Sequence, residues 1–447
     1  MSFQHSEALE LAFNQLSSLL IDGLKGDENL SIELESEQSH FIRFNAAKVR
    51  QSGMVADGTI KLRLIHNQRT AFAAFPFTGN LAVDSAAGLE NLNYLRQEVT
   101  QLPEDPYIVL PENKGSSREI YTGNLLAPDQ AISAILPAAQ NVDFTGIYAA
   151  GVVIRANANS AGQQHWFATD SFFLDYSMIT PSEKAVKGTF AGKSWDQEQY
   201  QTQIEVSRTQ LKALDVPAKA ILPGRYRTYF APAATAALVD MFSWGAVSES
   251  SLRQGGSALA KLRQGKKLSS HLHLQENFSR GTVPRFNELG ETAPEVLPLI
   301  EKGELVNTLV NSRTAKEYNI VANGANSSES LRAPEVGTGS LKSEDILQTI
   351  GTGLYLSNLH YLNWSDRTGG RITGMTRYAC FWVENGEIVA PIENLRFDES
   401  LYACFGDNLE ALTNFPEFVP ETSTYGSRQL GGSLVPGMLV RDFTFTL

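Results

Sequence analysis

The chain has 447 residues, of which 37 are Lys or Arg and 49 are Asp or Glu, so its formal net charge is −12. This acidic balance argues against nucleic-acid binding, because phosphate contacts require a basic surface. With only two cysteines and seven histidines, the chain cannot build a disulfide framework or a cysteine-rich zinc module, and we expect it in the reducing cytoplasm. The length predicts two or three domains.

The first 22 residues predict an amphipathic helix rather than a targeting segment. Leu9, Phe13, Leu16 and Leu20 recur at helical spacing, whereas a signal peptide has a positive region followed by an apolar one. No run of about 18 apolar residues occurs in the sequence, so we expect no membrane span.

The segments that follow predict an α+β fold. Asp84 is a candidate N-cap for a helix that reaches about Val99, and a second helix is expected from about Asp129. Strands and helices do not alternate in a strict βαβ order, which favours antiparallel meanders. Strand-like patterns occur at residues 31–37, 41–51, 59–65, 70–75, 107–110, 146–156, 165–169 and 172–178.

We predict a domain boundary near residues 195–222, between the α+β N-terminal part and the strand-rich C-terminal part. A helix is expected from about Asp196 to Ala213, and Pro232 opens another after a strand. Asn385 and Gly386 predict a hairpin turn in the strand-rich C-terminal part. The predicted units are an N-terminal α+β domain (1–195), a connecting helix and linker (196–222), and a mostly antiparallel, β-rich C-terminal domain with a central helix (223–447).

Two local motifs suggest chemistry, and each also has a plain structural explanation. Residues 187–194 are similar to a phosphate-binding loop, but the first glycine comes one residue too late, so an interdomain loop is the alternative. His271 and His273 would point to one face of a strand, where with the nearby Glu276 they could hold a metal. No third ligand is evident, so a solvated strand face is the alternative there.

Several segments resemble the TldD/PmbA family, a bacterial system of a zinc metalloprotease and its paralogue. Residues 41–44 and 49–53 are similar to the family's N-terminal strands, residues 384–397 to its C-terminal segment, and residues 304–315 to a strand and turn between them. The resemblance spans most of the chain. It implies a two-subunit protease in which a zinc-bearing subunit cuts unfolded peptides.

The resemblance also implies where the zinc chemistry of the catalytic member would lie. That member carries His-Glu-x-x-x-His on a helix and a cysteine near the C-terminus, which hold zinc and activate its water. In this sequence Asp240 and Gly245 stand at the histidine positions, Met241 at the glutamate and Tyr425 at the cysteine. A methionine cannot accept a proton and a glycine cannot bind metal, so we predict no catalytic residues, no metal and no cofactor.

We therefore predict a PmbA-like, non-catalytic subunit that docks on a zinc-bearing TldD-like partner and helps to form the chamber around an unfolded peptide. Two alternatives remain: a homodimeric peptide-binding or scaffold protein, and a hydrolase with a relocated metal site at His271 and His273. The alternating segment 306–312 is a candidate edge for strand addition of the peptide, with an ordinary edge strand as its alternative. The peptide-binding residues would be Asn307, Thr308, Leu309, Val310 and Asn311.

Overall fold

A seven-stranded sheet forms the first half of the computed structural model, which describes residues 3–446, with side chains from residue 6 onwards. The strands are β1 (Asn29–Asn45), β2 (Lys48–His66), β3 (Arg69–Pro76), β4 (Ser117–Tyr121), β5 (Asp143–Asn159), β6 (Gln164–Ile179) and β7 (Ala185–Gly192). Their order is β3-β2-β1-β5-β6-β4, with β7 paired to β6. The helices are α1 (Phe3–Asp22), α2 (Leu81–Glu98), α3 (Ala131–Ile135) and α4 (Gln197–Leu214).

An eleven-stranded mixed sheet forms the second half. Its strands are β8 (Gly224–Phe230), β9 (Leu274–Asn277), β10 (Val296–Glu301), β11 (Glu304–Leu305), β12 (Pro334–Val336), β13 (Gly353–Asp366), β14 (Arg371–Glu384), β15 (Glu387–Pro391), β16 (Arg396–Ser400), β17 (Leu409–Pro420) and β18 (Gly432–Phe445). The helices are α5 (Pro232–Asp240), α6 (Glu249–Arg253), α7 (Ala260–Arg263), α8 (Ser312–Tyr318) and α9 (Ile346–Ile350).

Part of this second sheet closes on itself. The order is β11-β10-β9-β12-β18-β16-β14-β13-β8, and β18 also pairs with β8, so that β18, β16, β14, β13 and β8 form a ring. The pairs β12–β18 and β13–β8 are parallel and the other strand pairs are antiparallel. Helix α5 packs against β13 and β18. The predicted α+β class, with a central helix on a β-rich C-terminal sheet, is confirmed.

Several predicted elements form as expected because their local signals are strong. Leu9, Phe13, Leu16 and Leu20 are all buried on α1. Asp196 caps α4, since its Oδ1 accepts the amides of Glu198 and Gln199 at 3.0 Å each. None of the helices in the described part of the chain is long and apolar enough to cross a bilayer.

Other local predictions are wrong. The segment 41–51 is not one strand, because Ala46 and Ala47 have positive φ and turn β1 into β2. Asp84 is not the N-cap of α2: Asn80 caps this helix, while Asp84 is buried and accepts the Thr78 hydroxyl at 2.8 Å. Residues 107–110 are irregular. The phosphate-loop-like segment is largely β7, where Lys187 pairs with Asp175 at 2.5 Å.

Polar contacts hold the two sheets together. The Asn157 side chain donates to the Glu288 carbonyl at 2.9 Å, and the Gln163 side chain donates to the Gly290 carbonyl at 2.8 Å. The His165 ring stacks on Phe286, with 4.9 Å between centroids. These contacts leave a large space between the sheets, where the candidate site lies.

Candidate functional site

A cavity of about 610 Å³, here called the central cavity, lies between the two sheets. One wall comes from β1 and β5, and the other from α5 and the loops around residues 283–288 and 419–433. Five carboxylates line it, against two arginines. These charged residues are Glu33, Glu35, Asp240, Glu288, Glu421, Arg155 and Arg332.

One face of α5 forms a wall of the central cavity. This helix contains Asp240, the first of the positions that the resemblance aligns with the zinc helix of the catalytic family member. The lining residues Ala233, Ala236, Ala237, Asp240 and Ser243 recur at helical spacing. The opposite face of the helix is buried in the apolar core. Because the lining face carries mostly alanine, the cavity stays open instead of being filled by side chains.

Asp240 is the only one of the four degenerate positions that lines the central cavity. Its side chain is accessible from the cavity but is surrounded by protein walls. Desolvation raises the pKa of Asp240 above its ordinary value, and the charge of Glu421 adds to this rise, while a hydrogen bond from Trp244 opposes it. A carboxylate in this position can bind a cation or a hydrogen-bond donor.

Met241 and Gly245 have structural roles. Met241 is only 1% exposed and lies in the apolar core, because the chain tightens into a 3₁₀ turn directly after Asp240. Gly245 has a φ of 84°, and a Cβ there would lie 2.9 Å from the Ser251 hydroxyl. A side chain at residue 245 would therefore meet both backbone strain and a steric clash.

Tyr425 lies outside the central cavity. It is 96% exposed, in the loop between β17 and β18. Glu421, Gln429 and Leu430 of the same loop do line the cavity. The structure thus brings Asp240 to the cavity and does not bring Met241, Gly245 or Tyr425 to it.

The wall that β1 contributes to the central cavity was not predicted from the sequence. Glu33 and Glu35 line the central cavity, while Ile32 and Leu34 are buried on the other face of the strand. Burial raises the pKa of Glu33 to about 7; Glu35 and Glu288 add to the rise, and Lys61 and Arg155 oppose it. The signal in the sequence was the alternation of Glu33 and Glu35 with the apolar Ile32 and Leu34 on this strand.

The segment with His271 and His273 is not a strand. Both side chains are exposed in a turn that precedes β9, with Leu272 buried between them. Glu276 points away and is buried, where it accepts the amides of Arg332 at 2.7 Å and Ala333 at 2.6 Å. The predicted grouping of these residues is therefore wrong.

The segment 306–312 is not a strand, so the predicted strand edge is wrong: Leu309 makes a single isolated bridge to Ser248. Peptide binding by residues 307–311 stays a prediction. The Leu309 amide donates to the Val247 carbonyl, and the Val310 amide donates to the Asn323 side chain, each at 2.9 Å. Thr308 donates to the buried Glu249 at 2.7 Å. Asn311 caps α8, and Asn307 donates to the Pro298 carbonyl at 2.8 Å. Internal hydrogen bonds therefore occupy several of the backbone groups that would pair with a peptide strand, the Leu309 and Val310 amides among them.

Zinc does not fit the residues that line the central cavity. They include no imidazole and no thiolate, and no cluster of three His, Cys, Asp or Glu within residues 6–446 has an arrangement suited to a metal ion. Cys380 and Cys404 are both buried, and burial raises the pKa of the Cys380 thiol to about 11. A thiol in that state is a poor metal ligand.

Residues 223–447, which contain the second sheet and the cavity-lining helix α5, match the model of the PmbA/TldA metallopeptidase C-terminal domain, and this match assigns the chain to a metallopeptidase-like class. The chain belongs to the PmbA/TldD family. None of the curated proteins matches the sequence significantly.

Solved structures share the whole fold at low sequence identity. TldE from Thermococcus kodakarensis is similar with a TM-score of 0.78 and 16% identity, over 98% of this chain and 100% of that one. A proposed modulator of a DNA gyrase from Thermotoga maritima has a TM-score of 0.75 and 16% identity, over the same shares. A second proposed modulator of DNA gyrase, from Bacteroides thetaiotaomicron, has a TM-score of 0.77 and 15% identity, over 98% of each chain.

Proposed function

We propose that this chain is the non-catalytic subunit of a TldD/PmbA-type peptidase, which docks on a zinc-bearing partner and forms part of the chamber around an unfolded peptide. One observation carries the proposal. The central cavity has the family's helix in its wall, yet Asp240 is the only chemical group of the four motif positions that faces it. The cavity is retained while the groups that would hold zinc and activate water are replaced.

The outer edge of β2 supports docking by a second chain. Residues 48–57 are exposed on both faces, and in the described part of the chain β3 pairs only with residues 59–66 of this strand. Met54 is among the exposed apolar side chains of this edge. An uncovered strand edge of this length tends to associate with another chain, so we expect the partner to cover it.

Co-expression with a family member that carries an intact His-Glu-x-x-x-His motif tests the proposal. We expect the two chains to co-purify and to cleave a denatured protein substrate, with zinc only in the partner by elemental analysis. Met54→Asp should weaken co-purification, whereas Leu222→Asp, the same change at another exposed apolar residue, should not. A partner that shows full activity and no affinity for this chain would refute the subunit role.

The two alternatives give different results in the same experiment. A homodimeric peptide-binding or scaffold protein would bind unfolded peptide without the partner, and the partner would not alter its oligomeric state. A hydrolase with a relocated metal would contain stoichiometric zinc that is lost in His271→Ala. His271 and His273 lie in a turn and Glu276 points away from them, so we expect the isolated chain to bind no zinc at these residues and to show no hydrolase activity.

A further inference from the structure

A second cavity, of about 290 Å³, borders the central cavity. The two share wall residues from the β17–β18 loop, including Glu421 and Leu430. We call it the cationic cavity, because Lys193, Arg280 and Arg428 line it and Glu421 is the single carboxylate among its lining residues. The rest of its wall is mostly apolar, in contrast to the carboxylate-rich central cavity.

The Arg280 guanidinium lacks hydrogen-bond partners within the described residues. Its Nε and Nη2 are buried without an acceptor. The carboxylate that faces it, Glu335, lies 3.9 Å from Nε and already accepts the Asn277 amide at 2.8 Å. The guanidinium stacks on Phe418, 5.4 Å from the ring centroid. A buried cation without hydrogen bonds is costly, so a bound anion would relieve that cost.

Arg428 supplies an independent observation. It is only 1% exposed. Nη1 donates to the Ser171 carbonyl and Nη2 to the Gly151 carbonyl, each at 2.7 Å. Nε has no acceptor among the described residues. Glu37 accepts the Arg428 backbone amide at 2.9 Å, and its negative charge, with that of Asp170, partly balances the guanidinium. The buried hydroxyl of Thr282, another lining residue, also has no partner among the described residues.

Lys193 adds a third cation. Its Nζ donates to the Arg280 carbonyl at 2.7 Å and lies 4.8 Å from the centroid of the Tyr121 ring. Among the described residues it makes no ion pair with a carboxylate. The cationic cavity therefore presents an ammonium and two guanidinium groups beside the apolar walls of Phe172 and Leu434.

We propose that the cationic cavity binds the C-terminal carboxylate of a peptide whose last residue is apolar. The carboxylate would pair with Lys193 and Arg280, as charge-assisted hydrogen bonds favour, and the last side chain would pack against the apolar wall. The shared wall would let the preceding residues extend into the central cavity. The identity of the ligand as a peptide rests on the proposed function, but the recognition of an apolar carboxylate does not.

Calorimetric titration of the full chain, without any partner subunit, tests this site. The probes are N-acetyl-Ala-Ala-Phe with a free carboxylate, the same peptide as its C-terminal amide, octanoate and inorganic phosphate. We expect the free peptide to bind at least tenfold more tightly than its amide and than phosphate. Octanoate should also bind more weakly than the peptide. Equal binding of octanoate would assign the site to non-peptide carboxylates, and equal binding of the amide or of phosphate would overturn the proposal.

Variants locate the binding within the cavity. Arg280→Met should reduce affinity for the free peptide at least tenfold without lowering the melting temperature, because the Arg280 side chain makes no hydrogen bond that holds the fold. Lys193→Met should weaken binding similarly, and Lys212→Met, at an exposed site on α4, should not. Unchanged affinity in both cavity variants would refute the assignment. The subunit proposal would survive that result, since it is tested by co-purification.

Discussion

Glu33 shows how one residue in the central cavity makes stability depend on pH. Its pKa is raised from 4.5 to about 7, mainly by burial, with Glu35 and Glu288 adding to the rise and Lys61 and Arg155 opposing it. The folded chain therefore holds the proton more strongly than the unfolded chain. This contribution to stability is complete below about pH 4.5 and is lost as the pH rises towards 7.

We expect Glu33→Gln to be more stable than the parent at pH 8, by on the order of 2 kcal/mol, because glutamine does not ionise. The difference should shrink as the pH falls to 5. Urea denaturation at the two pH values measures it. Glu35→Gln is the matched control, because it removes the ion pair with Lys61, whose Nζ lies 2.6 Å from the carboxylate, and it should not be stabilised. Equal effects of Glu33→Gln at both pH values would contradict a raised pKa.

Met241 determines whether the family's catalytic motif could be restored by substitution. Its side chain lies in the core, so Met241→Glu would bury a carboxylate without a partner, at a cost of about 3 kcal/mol or more. We expect a large loss of thermal stability and no peptidase activity. Met241→Leu, which keeps volume and polarity, should cost less than about 1.5 kcal/mol. A stable, zinc-binding Asp240→His/Met241→Glu/Gly245→His variant would contradict the arrangement described.

At the scale of elements, the turn between β1 and β2 stores backbone strain. Ala46 and Ala47 have φ values of 49° and 54°, in the left-handed region that disfavours residues with a Cβ. A two-residue hairpin with this conformation favours Asn-Gly. The sequence signal was therefore weak, because two alanines give no indication of a turn between two strand-like segments.

Ala46→Asn combined with Ala47→Gly should stabilise the folded chain by roughly 1 kcal/mol, because it removes this strain. The amide of residue 47 would still donate to the Phe144 carbonyl. Chemical denaturation of parent and variant gives the difference. Ala74→Gly, at an exposed position within β3, is the control and should be destabilising instead. A double variant less stable than the parent would show that the turn is not strained.

At the scale of the whole molecule, Arg428 connects the two sheets. It lies in the loop between β17 and β18, yet its guanidinium donates to Gly151 on β5 and to Ser171 on β6. Contacts of this kind set the separation of the sheets and thus the shape of both cavities. They join residues more than 250 positions apart in the sequence.

Arg428→Met should destabilise the chain by about 2–4 kcal/mol, because it leaves buried carbonyl oxygens of both β-strands without their donors. We also expect the two sheets to unfold less cooperatively, so that far-ultraviolet circular dichroism and tryptophan fluorescence no longer give one transition. Gln429→Ala, at the exposed neighbouring residue, should have little effect. A variant with unchanged stability would show that the sheets are held together by other contacts.

The sequence by itself determined the fold class, the family and most of the regular elements. The amphipathic spacing predicted α1, the Asp196 N-cap predicted α4, and Asn385–Gly386 predicted a hairpin turn. These predictions succeeded because each signal depends only on residues close together in the sequence. The predicted replacement of the family's histidines and glutamate by Asp240, Met241 and Gly245 also rests on the sequence alone.

Only the tertiary structure decided which of these residues share a cavity. Sequence spacing cannot show that Glu33 on β1 and Asp240 on α5 line the same cavity, or that Met241 is buried in the core. Nor can it show that several backbone groups of residues 306–312 form hydrogen bonds within the chain. The cationic cavity could not be predicted either, because its three basic residues, Lys193, Arg280 and Arg428, are far apart in the sequence. Burial and charge proximity arise from long-range packing, and they decide pKa values and unsatisfied hydrogen bonds.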